Sequence, residues 1–266
     1  PHGHLVRGLT QDLGERRARE VLQQVDCIAV EDSRQSGKLL KYYEIRTPMM
    51  TLFEHNEQRA IPKVLSRLEQ GQSVALISDA GTPLVSDPGY ALVQAVHAAN
   101  YPVLSVPGAS SVMAALSVSG LPLNRFTFEG FLPSKSHARR QCLQALAKEQ
   151  RTLVVFEAPH RIQQLLSDCR NILGAEWRSV VARELTKIHE SLHRGNFTEL
   201  AELFLQTSLC RGEMVVIIEG YQVDDEPKEN QQAVALAQIL NKELPVKKAV
   251  ALAAQFTGAN RNALYQ

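Results

Sequence analysis

Three stretches of this chain collect the residue types that chemistry needs. Ser78-Asp79-Ala80-Gly81-Thr82-Pro83 follows the apolar run Val74 to Ile77 and leads, through Asp87-Pro88-Gly89, into Tyr90 to Val96 at helical spacing. That order predicts strand, loop and helix, and in an open α/β sheet such a loop lies at the carboxyl end of a strand, where ligands bind. Gly81 lets a ligand approach the backbone, Thr82 supplies a hydroxyl and Asp79 a carboxylate. An ordinary βα turn capped by Asp or Ser would carry the same residues. A second stretch, Val103-Leu104-Ser105-Val106-Pro107-Gly108-Ala109-Ser110-Ser111, has the same build, and two such loops at neighbouring strand ends would form one crevice. The third, Glu31-Asp32-Ser33-Arg34, leaves the strand predicted over Val25 to Val30. Its two carboxylates and guanidinium could position a ribose or phosphate, or pair with one another on a surface turn.

These loops, followed by Glu129-Gly130-Phe131-Leu132-Pro133, resemble in their order the tetrapyrrole methylase superfamily, and within it the branch acting on small-subunit ribosomal RNA. The similarity runs from about Arg17 to the C-terminus. It implies two α/β domains of the class III methyltransferase type, with a cofactor cleft between them and a small helical C-terminal appendage. It also implies S-adenosylmethionine as methyl donor and the ribose 2'-hydroxyl of a cytidine in 16S ribosomal RNA as acceptor. By matching position, cofactor contacts fall on Asp79, Ala80, Gly81, Thr82, Pro107, Gly108, Ser110, Ser111, Phe156 and Glu157. These loops are common to the superfamily and argue for the donor more than for the acceptor. The family opens with an apolar strand ending in a Thr-Pro-Ile-Gly-Asn loop. No such strand and loop align with Pro1 to Thr10, so either the start is remodelled or part of it is missing, and no site residue is placed there.

Methyl transfer to a ribose hydroxyl needs a proton acceptor, or a cation that stabilises the developing alkoxide, and asks for no metal. Glu184, Lys187, Asp32 and Glu31 are the candidates. A carboxylate beside Arg183 would stay ionised, whereas a desolvated Lys187 would have its pKa lowered towards neutrality. Arg183 and Glu184 could also be a structural ion pair.

The chain has 266 residues and a net charge of +1, so a nucleic-acid partner is not announced by bulk charge and any basic surface must be local. Lys135, Arg139 and Arg140 cluster without a compensating acid, which suits phosphate contacts or a solvated helix face. Arg34, Arg183, Lys247 and Lys248 are further RNA-binding candidates. The expected partner is 16S ribosomal RNA or the 30S subunit, and the family implies a homodimer. Four scattered cysteines without a Cys-x-x-Cys pair predict a reduced, cytoplasmic protein lacking a structural zinc. No apolar run reaches membrane-spanning length. Two other readings stay open: a methylase of a tetrapyrrole or other small metabolite, and a ribosome-binding protein that has lost catalysis.

Positioning these residues requires strands alternating with helices through both halves of the chain. The expected domains are 1–120, 121–222 and a linker with helical appendage over 223–266. The last holds two short amphipathic patterns, Ala233 to Leu240 and Val246 to Phe256, which fit either a helix-turn-helix or a packing extension.

Overall fold

The computed structural model describes residues 5–9, 16–53, 55–79, 81–222 and 228–258; Ala80 and the stretch from Ala259 onwards lie outside the described residues. The chain divides into two compact units, Pro1–Gly220 and Tyr221–Gln266.

The first half of the larger unit runs β1 (Leu5–Leu9), α1 (Arg16–Gln24), β2 (Cys27–Val30), α2 (Ser33–Tyr42), β3 (Met49–Thr51), α3 (Glu57–Glu69), β4 (Val74–Ile77), α4 (Tyr90–Ala98) and β5 (Val103–Ser105). All five strands are parallel, in the order β3-β2-β4-β1-β5. The short apolar runs of β2 and β4 are buried throughout, as strands covered by helices on both faces must be. Alternation then sorts their side chains. Ile28, Val30, Ala75 and Ile77 pack with Leu22 of α1 and Leu40 of α2. Cys27, Ala29, Val74 and Leu76 pack with Val64 of α3 and Leu92 of α4. Because Val30 and Ile77 are register partners, the Glu31 and Ser78 loops leave the sheet at one edge.

The opening residues correct the reading from sequence. Leu5–Leu9 forms a strand between β4 and β5, so the start of the chain supplies a central strand of the sheet. Any loop that follows it falls on residues 10–15, outside the described residues.

The second half continues with α5 (Ser111–Ser119), β6 (Phe126–Phe131), α6 (Ser136–Leu146), β7 (Thr152–Glu157), α7 (Ile162–Ile172), β8 (Arg178–Arg183), β9 (Ser191–Asn196), α8 (Phe197–Leu203) and β10 (Met214–Ile218). Its sheet has the order β6-β7-β10-β8-β9. Only β6 and β7 are parallel; the remaining pairs are antiparallel. The expected strand-to-helix alternation therefore breaks after Arg183, where the chain turns and returns as β9.

Helix α5 follows the first sheet in sequence but packs on the second. Its Val112, Ala115 and Leu116 lie against Val154, Val180 and Ile217. Its C-terminal carbonyls, of Val118 and Ser119, accept from the guanidinium of Arg194 on β9. The opposite face of that sheet is covered by α6, α7 and α8 through Leu143, Leu165 and Phe197.

The smaller unit contains α9 (Lys228–Leu240) and α10 (Val246–Thr257). The two pack through Ala237, Val250 and Ala253, small residues that let helices approach closely. Among the described residues no helix is long and apolar enough to cross a membrane.

Candidate active site

The loops after β4 and β5 meet. Thr82 Oγ1 donates to the Ala109 carbonyl at 3.3 Å, joining one strand-end turn to the other. Ser78 Oγ donates to the Gly81 carbonyl at 3.4 Å within the first turn. Ser110 is the N-cap of α5, its hydroxyl accepting from Met113 N. Beyond Thr82 the backbone is unusual, with Leu84 at φ 73° and Ser86 at φ 63°. Bulky side chains rarely occupy that left-handed region, and such strain collects in functional loops. The second sheet reaches the same loop at the bulge of β6, where a Cβ on Gly130 would stand 3.2 Å from Ser86 Oγ. Residues 78–79 and 81–89, residues 107–111 and the end of β6 therefore come together where the sequence leads one to expect a crevice.

Carboxyls gather at this junction. Burial pushes the Asp79 carboxyl above its ordinary value, with the charge of Asp32 adding to the effect and hydrogen bonds from the Asp32 backbone and Ser36 opposing it. Asp79 Oδ1 is buried without a protein partner. Burial, reinforced by Glu31 and Asp79, pushes Asp87 up to about 6 against the opposing hydrogen bond of Ser78. Carboxyls crowded in this way favour a cationic ligand that relieves both repulsion and desolvation. Asp87 was missed from sequence because it reads as the polar start of a Pro-Gly turn; only its proximity to Glu31 and Asp79 marks it. Asp32 has a narrower task. It caps α2 by accepting from Arg34 N at 2.8 Å, and its two oxygens hold the Arg34 guanidinium at 3.2 and 2.9 Å. That contact keeps Asp32 below the ordinary carboxylate range, so Arg34 begins as the partner of Asp32.

At the carboxyl edge of the second sheet the expected residues separate. Phe156 packs with Val154 on the α5 face, its ring 4.9 Å from Phe128 and 5.5 Å from Phe131. Glu157, one residue on, must point to the other face. There it is 2% exposed, 3.0 Å from Arg161 Nε, with Oε2 left unpartnered. Its carboxylate is thus buried beside Arg161 at the start of α7, on the face of the sheet opposite Phe156.

Arg139 departs from the surface cluster expected of it. It is 1% exposed, and its Nε and Nη2 lie 2.8 and 2.7 Å from Asp168 Oδ2. The sequence hid this pairing because Asp168 lies on the next helix, α7. Lys135 and Arg140 remain exposed, as do Lys247 and Lys248 at the start of α10.

Glu184 and Lys187 lie in the turn between β8 and β9. Glu184 Oε1 accepts from Glu213 N at 2.8 Å and from Lys187 Nζ at 3.0 Å, while Glu213 Oε2 holds the same ammonium at 3.0 Å. Gly212 makes room, since a Cβ there would fall 2.2 Å from Glu184 Cδ. The Glu213 amide, then Lys187, hold Glu184 below the ordinary carboxylate range. Burial draws the Lys187 pKa down, but the bonds to Glu184 and Glu213 outweigh it and the net shift is upward. This reverses the expected lowering: Lys187 is a retained cation. Arg183 donates to the carbonyls of Arg211 and His189, and Glu184 takes Lys187 as its ion-pair partner. The anticipated Arg183–Glu184 pair is replaced by a clamp on two loops.

A family model described as Tetrapyrrole (Corrin/Porphyrin) Methylases matches residues 13–201, and one described as RsmI C-terminal HTH domain matches residues 227–266. Among curated relatives, the chain is 45% identical over 260 residues to Ribosomal RNA small subunit methyltransferase I of Pasteurella multocida, covering 97% of this chain and 92% of the relative. It is 42% identical to the protein of the same name from Synechocystis, covering 99% and 95%. Among solved structures it is similar in fold to cobalt precorrin-4 methyltransferase, with a TM-score of 0.59 at 19% identity, covering 81% of this chain and 94% of that one. A uroporphyrin-III C-methyltransferase from Thermus thermophilus, complexed with S-adenosylhomocysteine, gives a TM-score of 0.55 at 16% identity, covering 82% and 97%.

Proposed function

This chain belongs to the tetrapyrrole (corrin/porphyrin) methylase family, and from that premise we propose that it methylates the ribose 2'-hydroxyl of a cytidine in 16S ribosomal RNA. It is an S-adenosylmethionine-dependent methyltransferase, and its near full-length likeness to small-subunit ribosomal RNA methyltransferases supports RNA as the acceptor. The observation that carries the reading is the junction of the two strand-end turns through Thr82 and Ala109, beside the half-buried carboxyls of Asp79 and Asp87.

The residues present suit this donor. S-adenosylmethionine supplies a methyl already activated on a sulfonium. Asp79 offers its unpartnered oxygen to a donor group, the backbone around Gly81 and Ala109 can meet the methionine end, and Phe156 supplies an apolar wall. Asp87 and Glu31 add negative charge that favours a cationic ligand. Holding reactants in line can contribute about 7 to 11 kcal/mol, so most of the task is positioning. Lys187, kept protonated by two carboxylates, is the group proposed to stabilise charge developing on the acceptor oxygen, whose proton passes to solvent water as the methyl arrives and the sulfur leaves as a neutral thioether. Glu184, already engaged twice, orients that ammonium. Lys135, Arg140, Lys247 and Lys248 are proposed phosphate contacts. The proposal extends to a cytoplasmic homodimer acting on 16S RNA within or outside the 30S subunit; sedimentation of the purified chain checks the dimer.

The test is methyl transfer from labelled S-adenosylmethionine to small-subunit RNA lacking the modification, followed by nucleoside mass spectrometry. The expected product is 2'-O-methylcytidine at a single site. Label entering a corrinoid precursor but no RNA would select the small-metabolite reading, and RNA binding without donor binding would select an inactive ribosome-binding protein.

A further inference from the structure

Helix α2 carries a basic, aromatic face that none of the residues discussed so far explains. Ser36 and Leu40 are its buried side. Arg34, Lys38 and Lys41, spaced four and three residues apart, therefore form a stripe on the solvent side. All three are exposed. Arg34 is held by Asp32, but among the described residues Lys38 and Lys41 make no ion pair, and neither does Arg46 just beyond the helix. The stripe starts at the crevice, because the N-cap of α2 is Asp32 and Ser36 in its first turns hydrogen-bonds Asp79. It ends in an open cleft of about 440 Å³ lined by Gly37, Lys41, Glu44, Arg46, Thr47 and Met49.

Beside the stripe stands Tyr42, 79% exposed. Its ring meets that of Tyr43 at right angles with 4.9 Å between centroids, and Tyr43 in turn lies under the Arg19 guanidinium at 5.3 Å. An aromatic this exposed and braced by a single neighbouring ring leaves a face open for stacking, and cations in a row track a phosphate backbone. Together these are the two elements of single-strand recognition. A polar face made for solubility alone would need neither the braced tyrosine nor a line of unpaired cations leading from the site.

We infer that α2 is the track for a single-stranded segment of the RNA substrate, flanking the nucleotide that enters the crevice. Lys38, Lys41 and Arg46 take successive phosphates, and Tyr42 stacks on a base. The inference rests on the methyltransferase reading and adds where the RNA runs. Arg59 and Lys63 of α3 are also exposed but cover the opposite face of the first sheet, which makes them an internal control for bulk charge.

The experiment compares the full-length unaltered protein with Lys41→Gln/Arg46→Gln, Tyr42→Ala, Tyr42→Phe and the control Arg59→Gln/Lys63→Gln. It measures KM and kcat for methyl transfer to small-subunit RNA, the salt dependence of naked RNA binding, and calorimetric binding of S-adenosylhomocysteine. Removing the two cations should raise KM at least about fivefold and reduce the salt slope by about 1.4, near 0.7 per phosphate contact. Tyr42→Ala should weaken RNA binding about 5- to 100-fold, with Tyr42→Phe close to unaltered. The control variant should match the unaltered protein, and S-adenosylhomocysteine binding should be constant throughout. If the α2 variants keep KM and salt slope while the unaltered enzyme methylates RNA, the track is wrong and the function stands. If defects occur on assembled subunits but not on naked RNA, the face belongs to a ribosomal protein and the inference is overturned. An unaltered protein that methylates no RNA refutes the function itself.

Discussion

Asp87 shows how a residue's role emerges from its neighbours. In sequence it opens a Pro-Gly turn; in the fold it faces Glu31 and Asp79 and its carboxyl is raised to about 6. A carboxyl raised on folding binds more protons in the folded chain, so stability is full at low pH and declines as pH climbs from about 4 to 6. Asp87→Asn should therefore melt higher than the unaltered protein at pH 7.5, by about 2 to 4 °C for roughly 1 kcal/mol after screening. The two should converge below about pH 4 in the same thermal scans. Lys187 makes the complementary prediction. Held protonated by Glu184 and Glu213, it should act as a cation, so Lys187→Met lowers kcat about a hundredfold with little change in KM for RNA. A kcat–pH profile should lack a lysine ionisation near neutrality; finding one would restore the proton-acceptor role. The strand-end turns that carry Asp79, Thr82 and Ser110 were legible as turns because glycine and small residues punctuate apolar runs. The Lys187 network was not, since it depends on Glu213, a distant residue that only the β8–β10 pairing brings near.

At the scale of elements, the strands with uniform apolar runs and the helices with clear periodicity could be read from the sequence, β4 and α10 among them. Others, β3 and α8 among them, could not, and three show why. Leu5–Leu9 has Arg7 and Gly8 within a five-residue strand, so its pattern is weak and pairing with β4 and β5 decides its state. Helix α2 mixes Gly37 with mostly polar residues, and only an Asp32 cap and the buried side of Leu40 define it. Strand β9, with Gly195 and Arg194, is set by its hairpin partner β8. The buried Arg139–Asp168 pair belongs here too, since it joins α6 to α7, and Arg139 Nη1 also donates to the Ser134 carbonyl ahead of α6. Arg139→Ala should cost about 3 to 5 kcal/mol by leaving Asp168 buried and unpaired. An apolar double replacement, Arg139→Met with Asp168→Leu, should recover most of that. Denaturant unfolding checks both; an Arg139→Ala protein of normal stability but weakened RNA binding would return Arg139 to the surface role expected from sequence.

For the whole molecule, a modest net charge of +1 coexists with an acidic crevice and separate exposed basic sites. That division of charge suits a cationic methyl donor and a polyanionic acceptor, each drawn to its own surface. Lys247→Gln with Lys248→Gln on α10 should accordingly weaken RNA binding without altering affinity for S-adenosylhomocysteine, as fluorescence anisotropy and calorimetry would show. The fold class and the C-terminal helical appendage were legible because apolar segments alternate with loops over most of the chain. The packing of α5 on the second sheet was not, because nothing in its composition separates one sheet surface from the other.

The most direct measurement is calorimetric titration of S-adenosylhomocysteine into the full-length protein and its Asp79→Asn variant. One site per chain is expected, with a loss of about 10- to 100-fold in the variant, the cost of a hydrogen bond to a charged group. No binding, or equal binding by both proteins, would contradict the claim that the turns built on Asp79 and Ser110 hold the methyl donor.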